Sequence, residues 1–246
     1  MDRSLYVAMS GAKQTMLAQG ANNNNIANIS TPGFRADLAQ FRSMPLYGPG
    51  LPTRVFAMTE RAGTDFSQGP INASGNPTDV AINGAGWISV QAPNGKEAYT
   101  RAGNFRLGEG GKLVTGSGQT VLGEGGPIAI PPASKIQIAN DGTISIMPLG
   151  EQAKEMTVVD RIKLVNPPAK QLQKGIDGLM YVRNGNKAAA DASVKVTSGM
   201  LEGSNVNMAQ ALVTMIDLAR QYEMQIKVMK DAEQNADSTR QLLQMA

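Results

Sequence analysis

The sequence predicts an α+β chain in which long N- and C-terminal helices pair as a coiled-coil-like assembly domain around a central antiparallel β domain. Three observations carry this expectation. Roughly the last forty residues repeat apolar side chains at coiled-coil spacing, and the first thirty do so more weakly. Between 79 and 200 the apolar period falls to two, with turn residues separating the pairs.

Residues 1–30 form the first element, an N-terminal assembly helix. Leu5, Met9, Ala12 and Met16 step by 4, 3 and 4, and Asp2 lies near the positive end of the helix dipole. Gln19 and Asn23 fall on the same stripe, and the Asn22 to Asn25 run has poor helix propensity, so fraying is expected there before Ile26 and Ile29 resume the spacing. Thr31-Pro32-Gly33 ends the helix, because a residue before Pro is pushed to extended geometry and Gly permits a turn.

Residues 31–78 alternate short apolar pieces with breakers such as Gly48-Pro49-Gly50 and Gly69-Pro70, and read as an extended connector. Residues 79–200 read as a β-rich outer domain. Val80/Ile82, Ile88/Val90, Phe105/Leu107, Ile136/Ile138, Ile144/Ile146, Ile162/Leu164 and Val194/Val196 alternate as half-buried strands do. Turns are signalled at Asn94-Gly95, Gly110-Gly111, Gly125-Gly126, Asp141-Gly142 and Asn184-Gly185, and the clearest hairpin runs from Ile136 to Ile146.

Residues 201–246 form the C-terminal assembly helix. Steps of 4 and 3 from Met208 give Leu212, Met215, Ala219, Tyr222, Ile226 and Met229. Asn207 is placed to cap it, with Gln210 three residues on. About forty helical residues would reach roughly 60 Å, about twice the width of a small domain. Ile216 and Val228 widen the apolar face beyond one seam, so more than one neighbour is needed to cover it. Eight of the 14 methionines lie in or beside the two terminal segments, where an adaptable thioether suits a surface packed in several ways.

Composition narrows the chemistry. Cys and His are both absent, which removes disulfides, thiolate and imidazole metal ligands, thiol nucleophiles and the commonest general base, so no cofactor and no enzyme activity are expected. The carboxylates Asp79, Glu97, Asp141 and Asp160 would serve a hydrolase only if two of them converged. The clusters Gly84-Ala85-Gly86 and Gly108-Glu109-Gly110-Gly111 match no phosphate-binding spacing and open no helix, and so read as turns. A net charge of +3, with Lys and Arg spread singly, gives no nucleic-acid surface. The Met1-Asp2-Arg3-Ser4-Leu5 start lacks the apolar core of a secretory signal, and no run has the length to span a bilayer. A cytoplasmic chain fits, as does one exported by a route that removes no peptide.

Several stretches resemble one family. Asn24-Asn25-Ile26-Ala27-Asn28-Ile29-Ser30-Thr31-Pro32-Gly33-Phe34 is similar to the N-terminal signature of the bacterial flagellar rod, hook and hook-associated axial proteins. Leu201-Glu202-Gly203-Ser204-Asn205-Val206-Asn207 resembles their C-terminal signature. The stretches 79–87 and 99–105 resemble the central block of rod and hook proteins. Trp87, Asp177-Gly178-Leu179, the 222–227 stretch and the Gln241-Leu242-Leu243 ending resemble the proximal more than the distal rod branch.

The resemblance implies a structural subunit of the flagellar basal-body rod. It would be exported through the flagellar type III apparatus without a cleaved signal and stacked with copies of itself and with other proximal and distal rod proteins across the periplasm. It also adds Asn24, Asn25, Asn28, Pro32, Gly33, Phe34 and Asn205 to the helix seams and Asn207 as expected assembly residues. A β-domain ligand-binding module on a coiled-coil stalk is the alternative that periodicity alone leaves open.

Overall fold

The computed structural model describes residues 3–45, 55–149 and 155–244. The chain forms two compact units: one holds Met1–Asn28, Ala36–Asp65 and Val206–Ala246, the other Ile29–Arg35 and Phe66–Asn205.

The helical unit contains α1 (Arg3–Ala27), a hairpin of β1 (Asp37–Pro45) and β2 (Val55–Thr64), and α2 (Met208–Gln244). The expected cap starts α2: Asn207 Oδ1 accepts a bond from Gln210 N at 3.2 Å, and its carbonyl accepts Ala211 N at 2.9 Å. Where fraying was expected, α1 runs on through Asn22 to Asn25 without a break. Low propensity there is offset by tertiary bonds. Asn22 Nδ2 donates to Ala211 O at 2.8 Å, and Asn25 grips the start of β1 twice, donating to Asp37 O and accepting Asp37 N, both at 2.8 Å. Within 31–78, read as an extended connector, residues 37–45 and 55–64 are extended but paired, and the ribbon packs beside α1.

The two helices lie antiparallel, since Asn22 meets Ala211 and Gly11 faces Gln225. Among the described residues small side chains dominate what is buried: Ala8, Ala12, Thr15 and Ala18 of α1, and Ala211 and Ala232 of α2, with Leu218 as the one large apolar residue beside them. Met215, Tyr222 and Met229 are half-buried. A Cβ on Gly11 would come within 3.0 Å of Gln225 Cδ. The single-chain seam is therefore rotated from the expected one. Met9, Met16, Met208 and Leu212 point to solvent, because small residues let two helices pack backbone to backbone while longer chains would hold them apart.

The pairing also sets the ends. The antiparallel register places the start of α1 near Ala232, so Glu233 to Gln244 run past it by about 18 Å at 1.5 Å per residue.

The β unit holds β3 (Ile71–Ala73), β4 (Val80–Asn83), β5 (Trp87–Gln91), β6 (Glu97–Thr100), β7 (Phe105–Leu107), β8 (Leu113–Thr115), β9 (Thr120–Val121), β10 (Ala133–Ile138), β11 (Thr143–Pro148) and β12 (Thr157–Arg161). It continues with β13 (Leu164–Val165), β14 (Leu172–Lys174), β15 (Met180–Val182), β16 (Lys195–Ser198) and β17 (Met200–Glu202). All these pairings are antiparallel. The largest sheet runs β14-β15-β6-β5-β9-β8-β7, with β13 also on β5; β10-β11-β12, β16-β4 and β17-β3 form smaller sheets.

The alternating pairs supply the core. Val80, Ile82, Ile88, Val90, Phe105, Ile138, Ile144, Ile146, Ile162, Leu164, Val194 and Val196 are buried in one cluster, whereas Leu107 faces solvent. The expected hairpin forms in register, with Ile136 opposite Ile146 and Ile138 opposite Ile144, and turns at Gly142. A second, smaller cluster gathers Trp87, Tyr99, Val165, Leu172 and Met180 with Phe66 beside them.

The helix seam gives the first prediction. Ala12→Leu, which overfills it, should destabilise the helical unit by about 1–3 kcal/mol, while Met9→Leu should be near neutral. Hydrogen exchange of α1 and α2 amides would measure both.

Candidate assembly interface

Two constellations stand out, one in each unit. In the helical unit the outward faces carry the large apolar side chains: Tyr6, Met9, Met16 and Leu17 on α1, and Met208, Leu212, Val213, Ile216, Met224 and Val228 on α2. Large apolar residues sit outside a seam of small ones, the reverse of a self-sufficient helical hairpin. Of the expected interface residues, Ala12 is buried between the helices. Leu5, Met215, Ala219, Tyr222, Ile226 and Met229 are half-buried, and Met9, Met16, Met208 and Leu212 are exposed. Asn207 is spent on the helix cap and Asn25 on β1, while Asn28 Nδ2 donates to Asn24 O at 2.9 Å within the last turn of α1.

The second constellation lies in the β unit around Glu202, which is fully buried. Its Oε1 accepts Arg35 Nη2 at 2.6 Å and Gly69 N at 3.0 Å; its Oε2 accepts Arg101 Nη1 at 2.9 Å. Arg101 Nη2 donates onward to Gly84 O at 2.7 Å. Both guanidinium groups also lie against the ring of Trp87, at 5.9 Å for Arg35 and 5.4 Å for Arg101, and Phe66 braces that ring edge-on at 6.1 Å.

Two cations against one carboxylate leave net positive charge inside the protein. Among the described residues Arg35 Nε and Nη1 and Arg101 Nε have no hydrogen-bond partner, so the indole face supplies the remaining compensation. Burial pushes the Arg101 guanidinium below its ordinary pKa, and the Glu202 carboxylate pulls it back up.

Around this cluster the ends of the β unit are gathered. Gly33 N donates to Glu202 O at 2.8 Å, Asn205 N to Phe34 O at 3.4 Å, and Asn205 Nδ2 to Ser67 O at 3.1 Å. Buried Phe34 lies under Lys174 Nζ, 4.0 Å from its ring centre, and Pro32 is half-buried just before it. Gly33 adopts φ +68°, and a Cβ there would meet Arg101 C at 2.3 Å.

The four carboxylates weighed for hydrolysis do not converge as a free pair. Glu97 accepts Lys163 Nζ at 2.6 Å, Asp141 accepts Thr143 Oγ1 at 2.8 Å, Asp160 accepts Arg161 N at 2.7 Å, and Asp79 accepts Asn76 Nδ2 at 3.3 Å. Thr143 also helps hold the Asp141 carboxyl below its usual range. Among the described residues no group of His, Cys, Asp or Glu is arranged to hold a metal, and no helix is long and apolar enough to cross a membrane.

Comparison with known proteins bears on the same segments. Residues 5–35 match the family described as flagella basal body rod protein, residues 81–146 the flagellar hook protein FlgE/F/G D1 domain, and residues 197–242 the flagellar basal body rod FlgEFG protein C-terminal family. The chain is 41% identical over 252 residues to the flagellar basal-body rod protein FlgF of Escherichia coli K12 and 42% identical to that of Salmonella typhimurium, in each case across 100% of both chains. The chain belongs to the flagellar basal-body rod protein family.

It is also 30% identical over 276 residues to the flagellar basal-body rod protein FlgG of Buchnera aphidicola subsp. Schizaphis graminum, covering 97% of this chain and 99% of that one. Each family-matched segment of this rod protein supplies one member of the buried ion cluster: Arg35 the first, Arg101 with Trp87 the second, and Glu202 the third. Arg101, Trp87 and Glu202 lie inside the stretches that carry the resemblance, where only Trp87 served as a branch marker and none was expected in a buried ion cluster, and Arg35 lies one residue beyond the N-terminal signature. The available signal was charge placed inside otherwise small, turn-forming stretches.

Two predictions follow from the cluster. Glu202→Gln should cost about 3–5 kcal/mol, because it strands two buried cations, whereas replacing all three at once (Arg35→Met, Arg101→Met, Glu202→Leu) should cost far less. Urea unfolding followed by Trp87 fluorescence reads both. Gly33→Ala should destabilise the β unit by more than the ~1–2 kcal/mol that left-handed backbone alone costs a residue with a Cβ, measured in the same titration.

Proposed function

We propose that this chain is a structural subunit of the proximal part of the flagellar rod, built into a helical stack through the outward faces of α1 and α2. The observation that carries this reading is the inverted hairpin, with small residues between the helices and large apolar ones on their outer faces. A soluble protein gains nothing by exposing Met9, Met16, Leu212, Ile216 and Met224 along helices unless something covers them. The 41 and 42% identity to FlgF of Escherichia coli and Salmonella typhimurium across the whole chain, against 30% to FlgG of Buchnera aphidicola, favours the proximal over the distal position.

The work done is mechanical. Neighbouring subunits, copies of this chain and other rod proteins, bury each other's apolar faces. The overhang of α2 past α1 carries each subunit into the next, and the β unit adds outer contacts that stiffen a hollow drive shaft. Subunits reach it through the flagellar type III export apparatus, without a cleaved signal, and the finished rod crosses the periplasm.

The outer faces are tested by Leu212→Asp and Met16→Asp. Both side chains are exposed in the single chain, so each variant should unfold at the same urea concentration as the parent. A strain carrying only the variant should nevertheless lose swimming and lack the subunit in purified basal bodies. Normal motility with normal incorporation of both variants would overturn the proposal.

A further inference from the structure

We infer that the outer helix face is an oxidation-sensitive surface. Met9, Met16, Met208 and Met224 are converted to sulfoxides by hydroperoxides while the subunit is free, and the oxidised subunit is refused by its neighbours. The inference rests on the assembly reading above and adds a chemical control to it.

The side chains form a graded series within one chain. Met9, Met16, Met208 and Met224 are 53, 57, 53 and 59% exposed, whereas Met180, in the small cluster of the β unit, is 2% exposed. Met215 and Met229, turned toward the flank of the helix seam, lie between these extremes. Oxidation requires the oxidant to reach sulfur, so reactivity should follow this order. The thioether lone pair attacks one peroxide oxygen, the O–O bond breaks and the S–O bond forms. Sulfur gives up two electrons, the proton on the attacked oxygen passes to the departing hydroxide, and with hydrogen peroxide as oxidant the second oxygen leaves as water.

The consequence follows from the neighbours of each sulfur. Met9 and Met16 are seven residues apart on one stripe of α1, with Tyr6 and Leu17 exposed beside them. On α2 Met208 lies one turn before Leu212, and Met224 one turn before Val228. A sulfoxide oxygen placed on such a face and then covered by an apolar partner loses its water without gaining a donor. Repeated at four positions, that penalty opposes docking while leaving the buried seam between α1 and α2 untouched. Once the face is covered, the same sulfurs are shielded.

The purified full chain treated with dilute hydrogen peroxide and analysed by peptide mass spectrometry should show Met9, Met16, Met208 and Met224 oxidised at least tenfold faster than Met180, with helical circular dichroism retained. In cells given sublethal peroxide during rod formation, the parent should build several-fold fewer new basal bodies than a strain carrying M9L, M16L, M208L and M224L together. If the four changes together block assembly without peroxide, the single variants take their place, each giving partial resistance.

Equal oxidation of Met180, or equal peroxide sensitivity in parent and methionine-free faces, overturns this inference and leaves the assembly reading standing. Absence of the untreated parent from basal bodies overturns the assembly reading itself.

Discussion

A single buried carboxylate, Glu202, ties together parts of the β unit that are far apart in sequence: Arg35, Gly69 and Arg101 all reach it. The price of such an arrangement is desolvation of three charges, which a well-packed apolar cluster of the same volume would avoid. What it provides instead is directional: a carboxylate with two fixed acceptors, a planar guanidinium on each side and an indole against both allow few alternative packings. Glu202 itself ends β17, which pairs with β3 over only three residues. Three-residue strands have little ladder of their own to fix register, so the ion cluster has to do it.

The helical unit solves a different problem with opposite means. Between α1 and α2 the apolar contacts alone do little to distinguish one register from the next, since alanine fits against alanine at many offsets. Polar groups inside the seam supply the distinction: Asn22 bonds one particular carbonyl, that of Ala211, and Gln225 occupies the space that only Gly11 leaves open. Asn25 then fixes where the ribbon of β1 and β2 departs. The asparagine run that looks like a helix breaker in isolation is thus the part of α1 most tightly specified by its surroundings.

How much of this was legible depended on the length scale of the signal. The alternating pairs and the Asn140-Asp141-Gly142 turn announced the β10–β11 hairpin and most of the core, because local period and turn chemistry are written in consecutive residues. The start of α2 was legible for the same reason, through the Asn207 cap. Strands of two or three residues such as β9 and β13 were not, since alternation cannot be recognised over so short a run. Nor was the helix seam, because a count of apolar residues favours Met and Leu while close helix packing favours Ala and Gly. The Glu202 cluster was least accessible of all: Arg35 and Glu202 are 167 positions apart, and nothing local in either stretch names its partner.

The gathering of Gly33, Ser67, Glu202 and Asn205 has a mechanical consequence. The chain passes between its two units four times, and on the β side those passages are fastened to one another before any of them reaches the large sheet. Tension arriving along one passage is therefore shared at this knot and diverted into its neighbours. The load path closes at the knot, and the hydrogen-bond ladders behind it are spared from being peeled open one rung at a time.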